Sequence, residues 1–490
     1  MGEAVAGRGD VDAVVVGAGP NGLAAAVTLA RAGLRVTVYE RADRAGGGAS
    51  TAELTLPGFR HDVCSAVHPL AIESPFFRRF ELDGRVAFVT PEVSFAHPLD
   101  SGGVLAYRDL TRTADRLGRD GQAYARLMGP LARRASEVAE TTGGTLMRVP
   151  RHPVTAARLA LRTAEQGTPL WGVRFREDAA PALLTGVSAH TILPLPGLAA
   201  AGAGLALTAY AHARGWPLPV GGSQAIVDAM VADLEAHGGR VVLGQQIDDL
   251  RELPPARIRL LDVTPRAAIA LAEGELPDRY RRALARFRYG NAVAKVDFAL
   301  SDPVPWRDSA LREAPTLHLG GDRAELAAGE REVARGIHPA SPYVLVSQPT
   351  LFDPTRAPAG AHTLWAYTHV PAGSTQDRAE AVIGQIERFA PGFRDTILAV
   401  SSRSAVDVQE HNPNYPGGDI GAGAPDLWQL FRRPVLNGHP WRTPVRGLYL
   451  CSASTSPGPG VHGLAGWHAA LCALRDEFGI TESPDLSIAG

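Results

Sequence analysis

Three glycines and one acid carry the first chemistry legible in this sequence. Gly17, Gly19 and Gly22 stand in the run Gly17-Ala18-Gly19-Pro20-Asn21-Gly22, and Glu40 closes the apolar run that follows. At this spacing Gly17 permits a tight turn and Gly19 lets the backbone approach a pyrophosphate. Gly22 lets the ensuing helix pack closely on the preceding strand. The phosphate charge then sits over the positive end of the helix dipole. A carboxylate at Glu40 can accept both hydroxyl hydrogens of an adenosine ribose. Further along, Lys295 is the only lysine in a chain whose other basic side chains are arginines. An ammonium is a compact point charge with an adjustable pKa, so a sole lysine suits a role that arginine cannot fill. The other reading is an ordinary strand cation paired with Asp297. His68, His190, His411 and His462 are the histidines in informative contexts. Each is either an acid–base group or a satisfied imidazole of the core or surface.

The elements that must position these groups follow from apolar pattern. Residues 11–16 form a continuous valine-rich run, as for a strand buried on both faces of a parallel sheet. The glycine turn, an Ala/Leu-rich helix to Ala32 and a second strand, 35–39, come next. It is this strand–turn–helix–strand–acid order, rather than the glycines alone, that predicts a dinucleotide site. Residues 112–164 carry apolar side chains at helical spacing among many charges and predict amphipathic helices. Between Asp178 and Arg214 there is no Asp, Glu, Lys or Arg. Pro194, Pro196, Gly197, Gly202 and Gly204 interrupt this tract, so it reads as buried helices lining a core or pocket. A monotopic membrane-touching surface is the alternative. Gly202-Ala203-Gly204 lacks a preceding strand and a later acid, which argues against a separate NADPH site. A helix over 224–237 ends at Gly238-Gly239. Strands are predicted at 240–243, 258–263, 291–300 and 447–451, and helices at 375–389 and 463–478.

Bulk properties bound the rest. At 490 residues two domains are expected. A formal net charge of -2 gives no support to nucleic-acid binding. Cys64, Cys451 and Cys472 form no CxxC and no metal-ligand spacing. That excludes a redox dithiol and a structural zinc site, and no metal is expected. Reduced cysteines and a short polar start over residues 1–10, without a signal-peptide pattern, predict the cytoplasm.

Four separated segments make one larger pattern: the N-terminal motif; Arg44-Ala45-Gly46-Gly47-Gly48-Ala49-Ser50-Thr51 with Pro57 to Asp62; Gly221-Gly222 with the helix and strand leading to Ile247; and Gly447 to Leu450 followed by Ser454 to Gly466. Together they resemble the phytoene desaturase-like branch of the FAD-dependent amine oxidase superfamily. Within it the pattern is most similar to bacterial oxidoreductases related to pyridine nucleotide-disulphide oxidoreductase domain protein 2. The resemblance spans nearly the whole chain and implies a non-covalent FAD. It implies that Gly46 and Gly47 bring amides against the pyrophosphate and ribityl chain, and that the backbone at Ile247 meets the adenine. Relatives often carry an Arg after such glycines. Here Gly48-Ala49 follow, which leaves the phosphate charge to the helix dipole, the amides and Arg41. Ser454 is implied near the pyrophosphate, and the amides of Val461 and His462, at a helix start, at the flavin N1/O2 edge. Gly458, Gly460, Gly463 and Gly466 permit the close approach. In amine oxidase relatives a lysine on a strand like Ala294-Lys295-Val296-Asp297-Phe298 holds a water near flavin N5. His68 and His462 flank the implied flavin contacts. His190, Tyr415 and Trp467 are implied pocket walls, with core packing the alternative for each aromatic.

The expected fold is α/β: a Rossmann-like FAD-binding domain with a small β-meander, and an inserted α+β substrate domain. Its FAD part takes residues 10–110, 216–290 and 436–490; the cap takes 111–215 and 291–435. The expected reaction is removal of a hydride and a proton from an apolar or amphipathic substrate, isoprenoid, lipid-like or secondary metabolite, with oxygen or a quinone as acceptor. An amine oxidase forming an imine is the alternative. A flavin-binding protein acting mainly through a partner is the alternative from another class. Peripheral membrane contact through the uncharged tract is the alternative carried for its partners.

Overall fold

The computed structural model describes residues 11–489. The reading of residues 1–10 as a short polar start, and the domain start at 10, lie outside the described residues. Two sheets organise the chain. The first is a five-stranded parallel sheet in the order Leu448–Leu450, Ile258–Leu261, Ala13–Val16, Val36–Tyr39, Arg240–Val242. Its strands come from distant parts of the sequence. The buried valines of Ala13–Val16 occupy the central strand. Pro20 opens the following helix, Pro20–Arg31, at a position where its missing N–H costs nothing. Ten of that helix's twelve residues are buried, and its alanines admit the C-terminal helix Leu464–Ala473 at close range. A Cβ on Gly466 would lie 1.8 Å from the backbone oxygen of Asn21, so only glycine fits there.

The second sheet has seven strands in the order Ile397–Arg403, Ala292–Leu300, His362–Val370, Val344–Ser347, Thr316–Leu319, Val93–Leu99, Gly102–Tyr107. Its pairings are antiparallel except where Leu317 meets Ala96. The hairpin 93–107 therefore extends the second sheet, although it falls inside the segment 10–110 read as dinucleotide layer. Alternation identifies a strand pair but not the sheet that the pair joins. The expected small β-meander is not found among the described residues. Two short ribbons are found instead, Thr51–Glu53 with Arg60–Asp62 and Phe88–Val89 with Leu218–Pro219.

The region 110–166 is helical as expected, in segments Leu110–Arg116, Gly121–Ala132, Ala135–Thr142 and Pro153–Gln166. The uncharged tract folds into Ala179–Ser188 and Leu198–Ala213, both largely buried. Among the described residues no helix is long and apolar enough to cross a membrane.

Candidate functional site

One cavity of about 1270 Å³ runs from the N-terminal glycine turn to the buried helices of the uncharged tract. At its nucleotide end lie Gly17, Gly19, Asn21, Glu40, Arg41, Gly47 and Ile247. Gly17 has φ +100, and a Cβ there would stand 2.9 Å from the backbone oxygen of Asp262. A Cβ on Gly22 would sit 2.1 Å from the Gly17 oxygen. Gly17 and Gly22 thus stand where a side chain would clash with the neighbouring strand end or with the turn itself. Glu40 ends the strand Val36–Tyr39, and its carboxylate accepts from the amides of Ala18 (2.8 Å) and Ala42 (2.9 Å). The amide of Gln245 donates to the Glu40 backbone oxygen at 2.8 Å, which brings the chain leading to Ile247 alongside. Gly46 has φ +136 and stands behind the wall, its amide donating to the Ala18 oxygen at 2.9 Å. Asn21 is buried, and its Oδ1 has no hydrogen-bond partner within the protein.

The opposite end is apolar. Leu159, Ala206, Leu207, Trp216, Leu345 and Trp365 line it, with His190 among them. The His190 Nε2 lies 2.8 Å from the Nε2 of buried His318, so one proton is shared between the two rings. Burial drives both imidazoles toward the neutral form, His190 down to about 3. His68 also lines the cavity. Its Nε2 lies 2.8 Å from Ser223 Oγ, whose own hydrogen is donated to the Ser65 oxygen, so His68 is the donor in that bond. Its Nδ1 is then an acceptor with no protein partner, and burial lowers its pKa to about 4.

Several expected site residues are placed differently. The His462 Nδ1 accepts from the Leu464 amide at 3.0 Å and its Nε2 donates to the Gly458 oxygen at 3.2 Å. Both ring nitrogens are spent on its own turn. The His462 amide closes the same turn on the Gly460 oxygen, which leaves only the Val461 amide for the expected flavin edge. Ser454 is buried outside the cavity lining and donates to the Ala422 oxygen at 2.6 Å; Ser452 and Ala453 line the wall in its stead. Trp467 faces the core, 6.5 Å from the Phe76 ring, and is not a pocket wall. Tyr415 is a wall: a Cβ on Gly48 would lie 2.1 Å from its hydroxyl. His411 is exposed beside it.

Lys295 and Asp297 stand two apart on the strand Ala292–Leu300 and so share one face, where they pair. Both are buried, and burial pushes each toward its neutral form. Across the strand pairing they oppose Tyr367 and Trp365, which line the cavity. Lys295 itself does not line it. Its ammonium lies 5.4 Å from the centre of the Trp365 ring.

Two features escaped the sequence reading. Asp262 follows the strand Ile258–Leu261 and puts its carboxyl under the glycine turn, Oδ2 accepting from the Gly22 amide at 2.9 Å. An acid ending a buried apolar run, at the carboxyl edge of the sheet where ligands bind, is a readable signal. Asp62 and Arg356, by contrast, are far apart in sequence and pair at 2.7 Å with both side chains 1% exposed. Nothing local marks them.

A family model described as an NAD(P)-binding Rossmann-like domain matches residues 15–80. A protein from Rattus norvegicus described as pyridine nucleotide-disulfide oxidoreductase domain-containing protein 2 is 26% identical over 95% of this chain and 94% of its own. The phytoene desaturase (neurosporene-forming) of Rhodobacter capsulatus is 24% identical over 96% of this chain and 95% of its own. Among solved structures, a putrescine oxidase variant redesigned in cofactor binding has a TM-score of 0.62 at 19% identity, covering 96% of this chain and 99% of that one. At that identity the likeness is one of fold. Family model, relatives and fold together fit an FAD-type oxidoreductase of the amine oxidase and desaturase superfamily.

Proposed function

We propose that the chain holds FAD non-covalently and removes a hydride and a proton from an apolar or amphipathic substrate, leaving a carbon–carbon double bond. Oxygen or a quinone is the proposed final acceptor. The observation that carries this reading is one large cavity with the glycine turn at one end and an apolar chamber at the other. The cradle suits the cofactor. Gly17, Gly19 and Gly22 stand where a Cβ would clash with Asp262 or with the turn itself, which keeps the turn bare of side chains, and Asn21 presents an unpartnered buried oxygen beside the first turn of a helix. When bound, FAD supplies the hydride acceptor.

The chain's own residues bind, orient and move a proton. In this reading Glu40 exchanges an amide bond for the ribose hydroxyls, and Gly19, Gly47 and Val461 face the nucleotide with their backbone. Leu159, Ala206 and Trp216 exclude water around the substrate, whose apolar surface drives its entry. His68 takes the substrate proton at Nδ1, the ring being fixed by Ser223. Lys295, paired with Asp297 behind the Trp365 wall, would act on the bound cofactor through that wall. Trp365 and Tyr367 meet edge to face at 5.2 Å, closed on each other rather than parted as the walls of an amine cage. That contact favours the desaturase reading over the amine oxidase one.

The test is the visible spectrum of the purified protein, followed by anaerobic mixing with long-chain alkenes and, separately, with primary amines. Flavin bands that leave with acid-released FAD and bleach with alkenes support the proposal. Bleaching by amines alone replaces it with imine formation. Bound flavin that no substrate bleaches supports a protein acting through a partner.

A further inference from the structure

We infer that Asp262 makes the dinucleotide site proton-dependent: FAD is held with this carboxyl protonated, and its ionisation weakens the hold. The inference rests on the FAD reading above. Asp262 is 7% exposed, lines the cavity and is fixed from several sides. Its amide donates to the Val16 oxygen at 2.8 Å, and its backbone oxygen accepts from Asn414 Nδ2 at 3.1 Å. Its Oδ2 takes the Gly22 amide at 2.9 Å and would stand 2.8 Å from a Cβ on Gly19. The carboxyl is therefore pressed against the turn over which a pyrophosphate sits. It occupies one of the free donors of the helix's first turn, which phosphates otherwise use.

The groups facing Asp262 do not offset its charge. Glu40, across the turn, has the same sign. Tyr415, from the neighbouring loop, and Cys451, from the strand end beside it, are both kept neutral by burial. Burial first, and Glu40 second, push the Asp262 carboxyl up to about 7, against the Gly22 bond. A bound pyrophosphate adds further like charge and raises it again. The sign follows from linkage. Below neutrality the group is protonated with or without FAD, and affinity is flat. Above it, FAD must draw a proton onto Asp262, and each pH unit weakens binding by up to about tenfold.

Protein stripped of flavin and titrated with FAD between pH 6 and pH 8.5, at constant ionic strength, tests this. Flavin fluorescence quenching gives the dissociation constant. The wild type should bind about tenfold more weakly at the alkaline end. Asp262→Asn keeps an oxygen for the Gly22 amide and cannot ionise, so its affinity should be flat within about twofold. Calorimetry in two buffers of different ionisation enthalpy should show proton uptake on FAD binding to the wild type near pH 7.5, a measurement that needs no variant. A flat wild-type profile, a variant profile parallel to the wild type, or no proton uptake overturns the inference while leaving the FAD reading intact. Failure of the wild type to bind FAD even at pH 6 overturns both.

Discussion

Replacing Arg356 by methionine should destabilise the protein by about 3 kcal/mol. Arg356 reaches from the loop after the strand Val344–Ser347 to Asp62, on the ribbon that flanks the cavity, at 2.7 Å. Its Nε also donates to the Arg60 oxygen at 3.1 Å. At 1% exposure on each side, water does not screen the pair. Removing one member of a buried pair costs about 3–5 kcal/mol, because the other charge is stranded. Asp62 would keep the Thr51 hydroxyl at 2.9 Å and the Ser223 amide at 2.8 Å, which places the cost at the lower end. Burial alone would raise the Asp62 carboxyl, yet Arg356 and the two donors hold it below the usual range. A depressed carboxylate lends stability above its unfolded value, about 3.9, and loses it as pH falls through the folded one. The gap between wild type and variant should therefore be fully present at neutrality and shrink only as pH falls below about 3.9. Urea unfolding followed by tryptophan and flavin fluorescence should show the midpoint falling by about 1 M. Asp62→Asn combined with Arg356→Met removes the stranded charge and should regain part of the loss. A single variant within about 0.5 kcal/mol of wild type, or a double variant no better than the single, would refute the reasoning.

Gly466→Ala should cost about 3 kcal/mol and lower flavin retention with it, since the added methyl meets the backbone of Asn21 in the dinucleotide turn; thermal melting and flavin content check this. Lys295→Met combined with Asp297→Asn leaves no unpaired buried charge. In that background oxygen reoxidation of the reduced enzyme should be slowed at unchanged flavin content, and a wild-type rate would assign Lys295 to pairing alone. Ala206→Phe fills the apolar end of the cavity. It should abolish anaerobic bleaching by long-chain alkenes while leaving the oxidised flavin spectrum unchanged.

The glycine turn was legible because much of it is local: the positive φ of Gly17, the contact of Gly22 with Gly17 and the place of Glu40 after its strand follow from spacing within one strand–turn–helix–strand unit. The buried helices of the uncharged tract were readable for a similar reason, since composition alone decides that they avoid water. Pairing across long separations was not. Whether the hairpin 93–107 joins one sheet or the other, whether Ser454 turns to the cavity or to Ala422, and which of the histidines keeps a free nitrogen depend on segments folded back from far away. The partnership of Asp62 with Arg356, like the seat of Asp262 beneath Gly22, exists only once the parallel sheet has drawn remote strands together. Buried charges and imidazoles take their protonation from that surrounding, because desolvation is a property of the packed interior and not of any stretch of sequence.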